Sequence, residues 1–488
     1  MKHPPLAADH VDAPHREFAL GDLQLESGET IVDYRQSYVT HGTLAADRAN
    51  AILICASLSG THHRLDFLIG PGKALDPARW FVIATDPIGN GLSTSPSNSA
   101  AQPGMRFPRF ALRDMIAAQH RLLTEALGID RLHAVVGASM GGMQALQWAV
   151  SHPRVMDRIV AMTPMARTAP WAVLVTETAR ACLCADPAWT GDGFAASPER
   201  GWRAYAGLMS ALLMRTPDAV ATLGDADAAH RWFDGVVAQQ ATIGFDAHDY
   251  LYQSWAYERH DVGTTPGFVG DTQAALASIE SKALLLAPPL DLFNPAAEAR
   301  AAAAAIPGAR FVEIQSAIGH LAATSALAAD AAFLDREIGA FLASCGSPCA
   351  ASGFCRHAAS APSASTAAEH ARPARRPPAR SATKPTSAGP TIWPAANKVV
   401  KAPIPAAHSD GARLWRTSAV VEVTSERNTA PNSRPEANTA RGCALATGSS
   451  VASASSALRI ASDSPPRKRC SMPAHSHDEA MTATPSMA

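Results

Sequence analysis

Long apolar segments are absent from the chain. No apolar run approaches the roughly 18 residues that a membrane-spanning helix needs. The first 18 residues, MKHPPLAADHVDAPHREF, also lack the apolar stretch that follows the positive charge of a secretory signal. We therefore expect a soluble, cytoplasmic protein without a membrane partner.

Cysteine is scarce, and its spacing fits neither a disulfide framework nor a zinc site. None of the eight cysteines forms a C-x-x-C pair with spaced histidines as partners. The nearest approach to a cluster is Cys345, Cys349 and Cys355, with His357 close by. The first 344 residues are long enough to build a core without covalent cross-links. We expect no structural disulfide and no bound metal.

Aromatic and acidic residues become rare after residue 344. Residues 1–344 carry 25 Lys and Arg against 35 Asp and Glu, whereas residues 345–488 carry 17 against 8. The second segment also holds 16 of the 36 prolines and no tyrosine, so it cannot bury a sizeable core. We predict a low-complexity, disordered tail over 344–488. An alternative interpretation is out-of-frame translation of a GC-rich gene.

Two basic runs in this tail, at 372–380 and 467–469, raise the question of nucleic-acid binding. They lack both a predicted fold and the interleaved aromatic residues on which bases stack. A solvated charged tail is the favoured interpretation, and no nucleic-acid partner is expected.

Short apolar runs and segments of helical periodicity alternate through the first 344 residues. Runs typical of buried parallel strands lie at 51–55, 80–85, 132–136, 158–162, 283–286 and 311–314. Helical periodicity appears at 110–127, 140–150 and 329–343. This alternation predicts an α/β fold, with a mostly parallel sheet flanked by helices and built from 15–165 and 281–343. The interval 166–280 has a helical pattern and is predicted to be a cap inserted into the sheet domain.

The clearest chemical motif is GASMG at 137–141, a G-x-S-x-G pattern centred on Ser139. It lies between the apolar run 132–136 and the helical segment that follows. A nucleophile elbow needs this context, because small residues must flank a serine held on a sharp strand-to-helix turn. An ordinary tight turn is the alternative. The position between strand and helix favours Ser139 as a nucleophile.

A serine hydroxyl needs a base and an orienting carboxylate, and in folds with this elbow the acid precedes the histidine along the chain. Asp291 follows the predicted strand at 283–286, and His320 follows the last one, at 311–314. The same segment of the chain also contains His62, His63, His248 and His260. None of these follows the last strand, so Asp291 and His320 are the predicted acid and base.

The oxyanion that forms on an attacked carbonyl needs two N–H donors. In an elbow of this type the residue after the nucleophile, here Met140, supplies the first. The loop after an early strand supplies the second. The choice there lies between Leu58 and Ser59, with Gly60 allowing close approach.

Beyond these single motifs, residues 15–343 resemble the homoserine O-acetyltransferases, a family of the α/β-hydrolase fold. The similarity includes the elbow, the LSG at 58–60 with the HH at 62–63, and three longer segments. These are IGPGKALDPARWFVIATDPIGNGLSTSPSN at 69–98, FPRFALRDMIAAQHRLLTEALGI at 107–129 and FDAHDYLYQSWAYERHDVG at 245–263.

The resemblance implies a set of roles. Ser139 would be the nucleophile, His320 the general base and acid, and Asp291 the orienting acid. Leu58 and Met140 would be the oxyanion donors. The resemblance also implies acetyl-CoA as the acyl donor and a homodimer as the assembly.

Two features depart from that family. Members that acetylate homoserine usually carry an aspartate directly after the catalytic histidine, where it meets the amino group of the acceptor, but Leu321 stands there. The Tyr-Arg-Ser motif of the cap is also missing, and the comparable segment reads LMSALLMRTPDAV at 208–220. The identity of the acceptor is therefore left open.

These observations predict an acyltransferase in which Ser139 takes an acyl group from acyl-CoA and passes it to the hydroxyl of a small molecule. The alternative is a serine esterase with the same triad, in which water takes the acyl group. No permanently bound cofactor is expected. The GPGK at 70–73 lacks the first glycine and the Ser/Thr of a phosphate loop, and no G-x-G-x-x-G follows a strand.

Overall fold

One eight-stranded sheet forms the centre of the fold. The structure is a computed structural model, and it describes residues 10–344. The strands are β1 (Arg16–Gln24), β2 (Thr30–His41), β3 (Ala51–Cys55), β4 (Phe81–Thr85), β5 (Leu132–Ala138), β6 (Met156–Met162), β7 (Lys282–Ala287) and β8 (Arg310–Glu313). Their order is β1-β2-β4-β3-β5-β6-β7-β8. The β1–β2 and β2–β4 pairs are antiparallel, and all other neighbouring pairs are parallel.

The six strands predicted from apolar runs are confirmed as β3 to β8, with ends that shift by at most two residues. Every residue of β3 is buried, and so are the last four residues of β4. Parallel strands with both faces covered need apolar side chains at every position rather than at alternate ones. Continuous apolar runs therefore located these strands well.

The antiparallel strands β1 and β2 belong to the sheet but were not predicted from the sequence. β1 is mostly exposed, and its pairing with β2 shifts register on both sides of Gly21. β2 carries polar residues such as Asp33 and Arg35 between its buried positions. An edge hairpin of this kind buries one face irregularly, so it lacks the apolar run that marks a central strand.

Helices lie between the parallel strands, after β8 and in one long interval between β6 and β7. They are α1 (Leu112–Arg121), α2 (Met140–Ser151), α3 (Pro170–Cys184), α4 (Glu199–Tyr205), α5 (Pro217–Val220), α6 (Ala226–Ile243), α7 (Ala247–Glu258), α8 (Thr272–Ala277), α9 (Ala296–Ala305) and α10 (Ala328–Ala343). The predicted helix at 110–127 is divided, because α1 continues into a π-helical turn at Leu122–Ala126.

Helices α3 to α8 lie within the range 166–280 that the sequence predicts to be a cap, and we call this range the cap. Its aromatic side chains pack on one another. The rings of Tyr205 and Tyr250 meet edge to face at 4.8 Å between centroids. In α7, nine of the twelve residues are buried, including Tyr250 and Tyr257. This burial joins the cap to the sheet domain through α7.

Three further predictions bear on the described part of the chain. Cys55, Cys182 and Cys184 are free thiols, and the other five cysteines lie outside the described residues. The predicted disordered tail lies almost wholly outside the described residues as well. Every helix between residues 10 and 344 is too short or too polar to span a lipid bilayer.

Candidate active site

Ser139 lies on the sharp turn between β5 and α2. Its backbone angles, φ 57° and ψ −122°, are ones that residues other than glycine rarely adopt. Two hydrogen bonds hold this turn. The Ser139 N–H donates to the Met162 carbonyl at 2.9 Å, and the Ser139 carbonyl accepts from the Met143 N–H at 3.0 Å. Ser139 is 3% exposed, so its hydroxyl lies in a recessed site.

His320 connects Ser139 with Asp291. Its Nε2 lies 3.0 Å from the Ser139 Oγ, and its Nδ1 lies 2.7 Å from the Asp291 Oδ2. With the ring proton on Nδ1, Nε2 offers a lone pair to the serine hydroxyl. All three side chains are buried. The structure thus brings together the three residues that the sequence predicts as a triad, across separations of 181 and 29 positions.

The Asp291 carboxylate is held on its far side as well. Its Oδ1 accepts hydrogen bonds from the backbone N–H groups of Phe293 at 2.9 Å and Asn294 at 2.8 Å. The Asn294 amide donates in turn to the Thr163 carbonyl at 2.8 Å and accepts from the Tyr257 hydroxyl. Burial, together with the charge of Asp291, raises the pKa of Tyr257 well above its usual value, so this hydroxyl remains a donor. The acid cannot rotate without breaking several of these bonds.

The loop after β3 presents two backbone N–H groups that the sequence left as alternatives. The Ser59 N–H donates to the Gln253 Oε1 of α7 at 2.9 Å, so it is already engaged. Within residues 10–344 the Leu58 N–H has no hydrogen-bond acceptor. Met140 is the first residue of α2, where an N–H has no acceptor within the helix. The N–H groups of Leu58 and Met140 are therefore available as donors, as the predicted oxyanion hole requires.

A buried network links the three loops that carry these groups. The Ser57 hydroxyl donates to the carbonyl of Ala138, the residue before the nucleophile, at 2.7 Å. Arg64 donates to the Ser57 hydroxyl at 2.9 Å and to the Ala323 carbonyl, in the short helix that His320 begins, at 3.1 Å. Desolvation lowers the pKa of Arg64 to about 10, so the guanidinium stays charged at neutral pH. Sequence reasoning missed this residue.

The other histidines considered from the sequence have different partners. His62 and His63 pair with Asp86 and Asp66. His248 accepts a hydrogen bond from the Phe194 N–H, and His260, which belongs to the cap, is buried. Position after the last strand was therefore the feature that separated His320 from the rest.

The cap contacts the loop that carries His320. The Leu321 N–H donates to the Met214 carbonyl at 3.3 Å, and the Thr216 hydroxyl donates to the Ala317 carbonyl. The Phe293 ring also packs against the His320 imidazole edge-on, at 5.2 Å between centroids. Apolar groups thus border His320, and Leu321 brings no charge next to it.

Comparison with known proteins places this arrangement in a family. A family model described as the α/β hydrolase fold matches residues 50–322. A probable esterase of Corynebacterium glutamicum is 33% identical over 320 residues, which is 64% of this chain and 90% of the relative. A homoserine O-acetyltransferase of Caulobacter vibrioides is 33% identical over 361 residues, 66% of this chain and 92% of the relative.

A solved structure agrees with these two relatives. The acetyl esterase MekB is 30% identical, and its structure matches with a TM-score of 0.64. The match covers 68% of this chain and 97% of that one. The residues matched by the family model contain strands β3 to β8, the elbow and His320. The chain therefore belongs to the α/β-hydrolase fold family, in the group of homoserine O-acetyltransferases and similar esterases, and it is an enzyme of the acyltransferase or hydrolase type.

Proposed function

We propose that this enzyme transfers a short acyl group, acetyl, through a covalent ester on Ser139. The hydrogen-bonded series Ser139, His320 and Asp291 carries the proposal. A serine hydroxyl becomes a useful nucleophile only when a base within hydrogen-bonding distance can take its proton. The 3.0 Å between Ser139 Oγ and His320 Nε2 supports that role.

The first half of the reaction forms the acyl-enzyme. His320 takes the proton of Ser139 as the serine oxygen attacks the acyl carbonyl, and the carbonyl electron pair moves onto its oxygen. That oxyanion accepts hydrogen bonds from the N–H groups of Leu58 and Met140. Asp291 stabilises the imidazolium and stays ionised. When the intermediate collapses, the leaving alcohol or thiol takes the proton from His320.

The second half repeats these steps with an acceptor. His320 takes a proton from the acceptor hydroxyl or from water, whose oxygen attacks the acyl carbon. The bond to Ser139 breaks, and the serine oxygen takes the proton back from His320. Transfer and hydrolysis therefore use the same residues and differ only in the acceptor.

The surroundings of His320 favour water or an uncharged alcohol as that acceptor. An acceptor with an ammonium group needs a nearby carboxylate, because an unpaired charge is costly in a buried site. Leu321 cannot provide one, and the carboxylate of Asp291 already accepts three hydrogen bonds. We therefore give hydrolysis of small acetyl esters as the first candidate, and the probable esterase and acetyl esterase relatives support it.

Transfer of acetyl from acetyl-CoA to a small hydroxyl compound is the second candidate. The burial of Ser139, at 3% exposure, supports it because a recessed acyl-enzyme meets little water. The homoserine O-acetyltransferase relative supports it as well. Acetyl-CoA would then be a co-substrate, and neither reaction needs a bound cofactor. A homodimer, a cytoplasmic location and the lack of a nucleic-acid partner stay predictions.

Parallel assays on the full chain separate the two candidates. One assay follows acetate release from ethyl acetate, and the other follows CoA release from acetyl-CoA with homoserine or a simple alcohol present. We expect acetate release and little acceptor-dependent CoA release. CoA release that is faster than ester hydrolysis and depends on the acceptor would reverse the order. Ser139→Ala should abolish both rates, whereas the exposed Ser27→Ala control should abolish neither, and the proposal is wrong if Ser139→Ala retains them.

A further inference from the structure

Four histidine rings contact one another in a row beside the loop that carries Leu58. Successive ring centroids are 4.2, 4.1 and 4.8 Å apart in the order His10, His63, His62 and His15. Each of the two central histidines, His63 and His62, is paired with a buried aspartate. Asp66 Oδ2 lies 2.6 Å from the His63 Nδ1, and Asp86 Oδ2 lies 3.0 Å from the His62 Nδ1. The proposed acyl transfer uses none of these six side chains.

Three donor atoms of this group converge on one point. His15 and His62 each offer one ring nitrogen and Asp86 one carboxylate oxygen, and these three atoms lie within 4.8 Å of one another. The Asp86 Oδ2 is 3.0 Å from the His62 nitrogen and 3.3 Å from the His15 nitrogen. With zinc bonds of about 2.0–2.2 Å to nitrogen and oxygen, adjacent ligands of a tetrahedral ion stand roughly 3.3–3.5 Å apart. The two separations from Asp86 are therefore close to those of a tetrahedral site.

A fourth polar atom and an entry path complete the group. The Ser37 Oγ lies 2.6 Å from the Asp86 Oδ2 and 2.8 Å from the His15 Nε2, so this hydroxyl or a water next to it can close the tetrahedron. Asp86 and His62 are buried, whereas the His15 side chain is 35% exposed. An ion can therefore enter from the side of His15.

We propose that His15, His62 and Asp86 bind a divalent transition-metal ion of the Zn²⁺ type. Two imidazoles and one carboxylate are ligands that zinc accepts, whereas Mg²⁺ demands an octahedron of oxygens. Each imidazole then offers a lone pair, and the proton that faces Asp86 moves to the other ring nitrogen. No sequence motif marks this site, because His15 and His62 lie 71 and 24 positions from Asp86.

Nearby charges suit a dication. Asp86 and Asp66 together offset two positive charges, and the Asp66 Oδ1 is a buried oxygen without a hydrogen-bond partner among the described residues. The second oxygen of Asp86 accepts from the His62 N–H at 2.9 Å and from the Asn90 amide at 3.0 Å. That amide also donates to the Gly60 carbonyl. A bound ion would therefore fasten His15 and the start of β1 to the loop that carries Leu58.

Titration of the full chain with Zn²⁺, after removal of metal with a chelator, tests this site. Isothermal calorimetry counts the ions bound to wild type, to His15→Ala and to a control, His230→Ala, which removes an exposed histidine of α6. We expect His15→Ala either to bind one ion fewer per chain or to bind that ion with a lower affinity. The fall in affinity should exceed the roughly 10–100-fold that loss of an outer partner costs. The control should match wild type. Counting differences between variants excludes any zinc held elsewhere in the chain.

Spectroscopy and melting complete the test. Co²⁺ in the wild-type site should give the intense visible absorption of a tetrahedral ion, and His15→Ala should not. Zn²⁺, but not Mg²⁺, should raise the Tm of wild type and of His230→Ala. Asp86→Asn provides a second variant that removes the carboxylate ligand while keeping its shape. Equal Zn²⁺ stoichiometry and affinity in wild type and His15→Ala would overturn the proposal, whatever the result of the acyl-transfer assays.

Discussion

A Cβ atom placed on Gly137 would lie 2.1 Å from the carbonyl oxygen of Gly141, so these two residues pack backbone against backbone across the elbow. Gly141 is confined on its other side too, because a Cβ atom placed on it would lie 2.1 Å from the carbonyl oxygen of Cys55 in β3. Non-bonded contacts shorter than 3.0 Å essentially never occur at real Cβ atoms. The glycines on either side of Ser139 are therefore a requirement of space.

Replacing Gly141 by alanine should destabilise the protein severely. The new methyl group meets the backbone of β3, which cannot move aside as a side chain can, and we expect a loss of about 3 kcal/mol or more in the free energy of unfolding. Gly235→Ala in α6 is the matched control, since nothing lies within 4 Å of its added Cβ. That change should stabilise the helix by about 0.5–1 kcal/mol. Denaturant unfolding measures both, and similar effects of the two substitutions would contradict this account of the elbow.

Asp291→Asn tests the orientation of His320. The amide can still accept the backbone N–H groups of Phe293 and Asn294, so the fold should persist. The asparagine amide favours the wrong imidazole tautomer. The same change in a serine protease triad lowers kcat about 10⁴-fold, and we expect a similar fall here. Steady-state kinetics and circular dichroism are the measurements. A variant with near wild-type kcat would show that Asp291 does not act through His320.

Gln253 should position the loop after β3, which presents the Leu58 N–H as a proposed oxyanion donor. Its side chain is fully buried and connects the cap to two backbone groups, accepting from the Ser59 N–H at 2.9 Å and donating to the Ile88 carbonyl at 3.1 Å. Gln253→Leu frees the loop that presents the Leu58 N–H. We expect kcat to fall about tenfold or more while KM changes little, since an oxyanion contact acts mainly in the transition state.

Two comparisons distinguish positioning from simple loss of fold in that experiment. Gln239→Leu replaces an exposed glutamine of α6 and should leave kcat unchanged. Affinity for a phosphonate transition-state analogue should fall in step with kcat/KM in Gln253→Leu. A variant whose kcat and KM both equal those of wild type would show that Gln253 only fills space.

The fold was predictable where burial is uniform and uncertain where it is not. β3, with the sequence AILIC, is buried at every position, so a continuous apolar run predicts it. No apolar run marks the β1–β2 hairpin, because one face is exposed and the register shifts beside Gly21. A local apolar run predicts a central strand, whereas an edge hairpin depends on partners that sequence alone does not show.

The candidate site divides in the same way. Ser139, Asp291 and His320 stand at fixed places relative to strands, so the order of elements was enough to find them. Gln253 and Arg64 bind backbone atoms of distant loops, and Arg64 donates to the carbonyl of Ala323, 259 positions away. A side chain that binds backbone atoms leaves no motif, because any residue can supply the carbonyl or N–H.

The buried His260 should make the protein sensitive to acid. Burial, with a smaller contribution from the charge of Arg113, lowers the pKa of His260 to about 3, although a hydrogen bond to the Met165 backbone opposes the shift. The unfolded chain takes up the proton near pH 6.5. Between about pH 6.5 and pH 3 only the unfolded state is protonated, so stability is present above this window and is lost as the pH falls through it.

Urea unfolding at pH 7.5 and pH 5.5 checks the acid sensitivity. His260→Gln lacks the titrating group, so the difference in unfolding free energy between wild type and variant should move in favour of the variant by about 1 kcal/mol at the lower pH. His230→Gln, at an exposed position, should track wild type at both pH values. A wild-type to His260→Gln difference that does not change with pH would count against a neutral, buried imidazole.

Rapid-quench mass spectrometry detects the covalent step at Ser139 on which both acyl-transfer reactions depend. The full chain is mixed with p-nitrophenyl acetate, quenched within one turnover, digested and sequenced by tandem mass spectrometry. We predict an acetyl group on the peptide that contains Ser139, formed in the burst of p-nitrophenol release and lost as acetate appears. Asp291→Asn should form it more slowly, and Ser139→Ala should not form it. Turnover without an adduct on Ser139, or with a burst that survives in Ser139→Ala, would contradict the account.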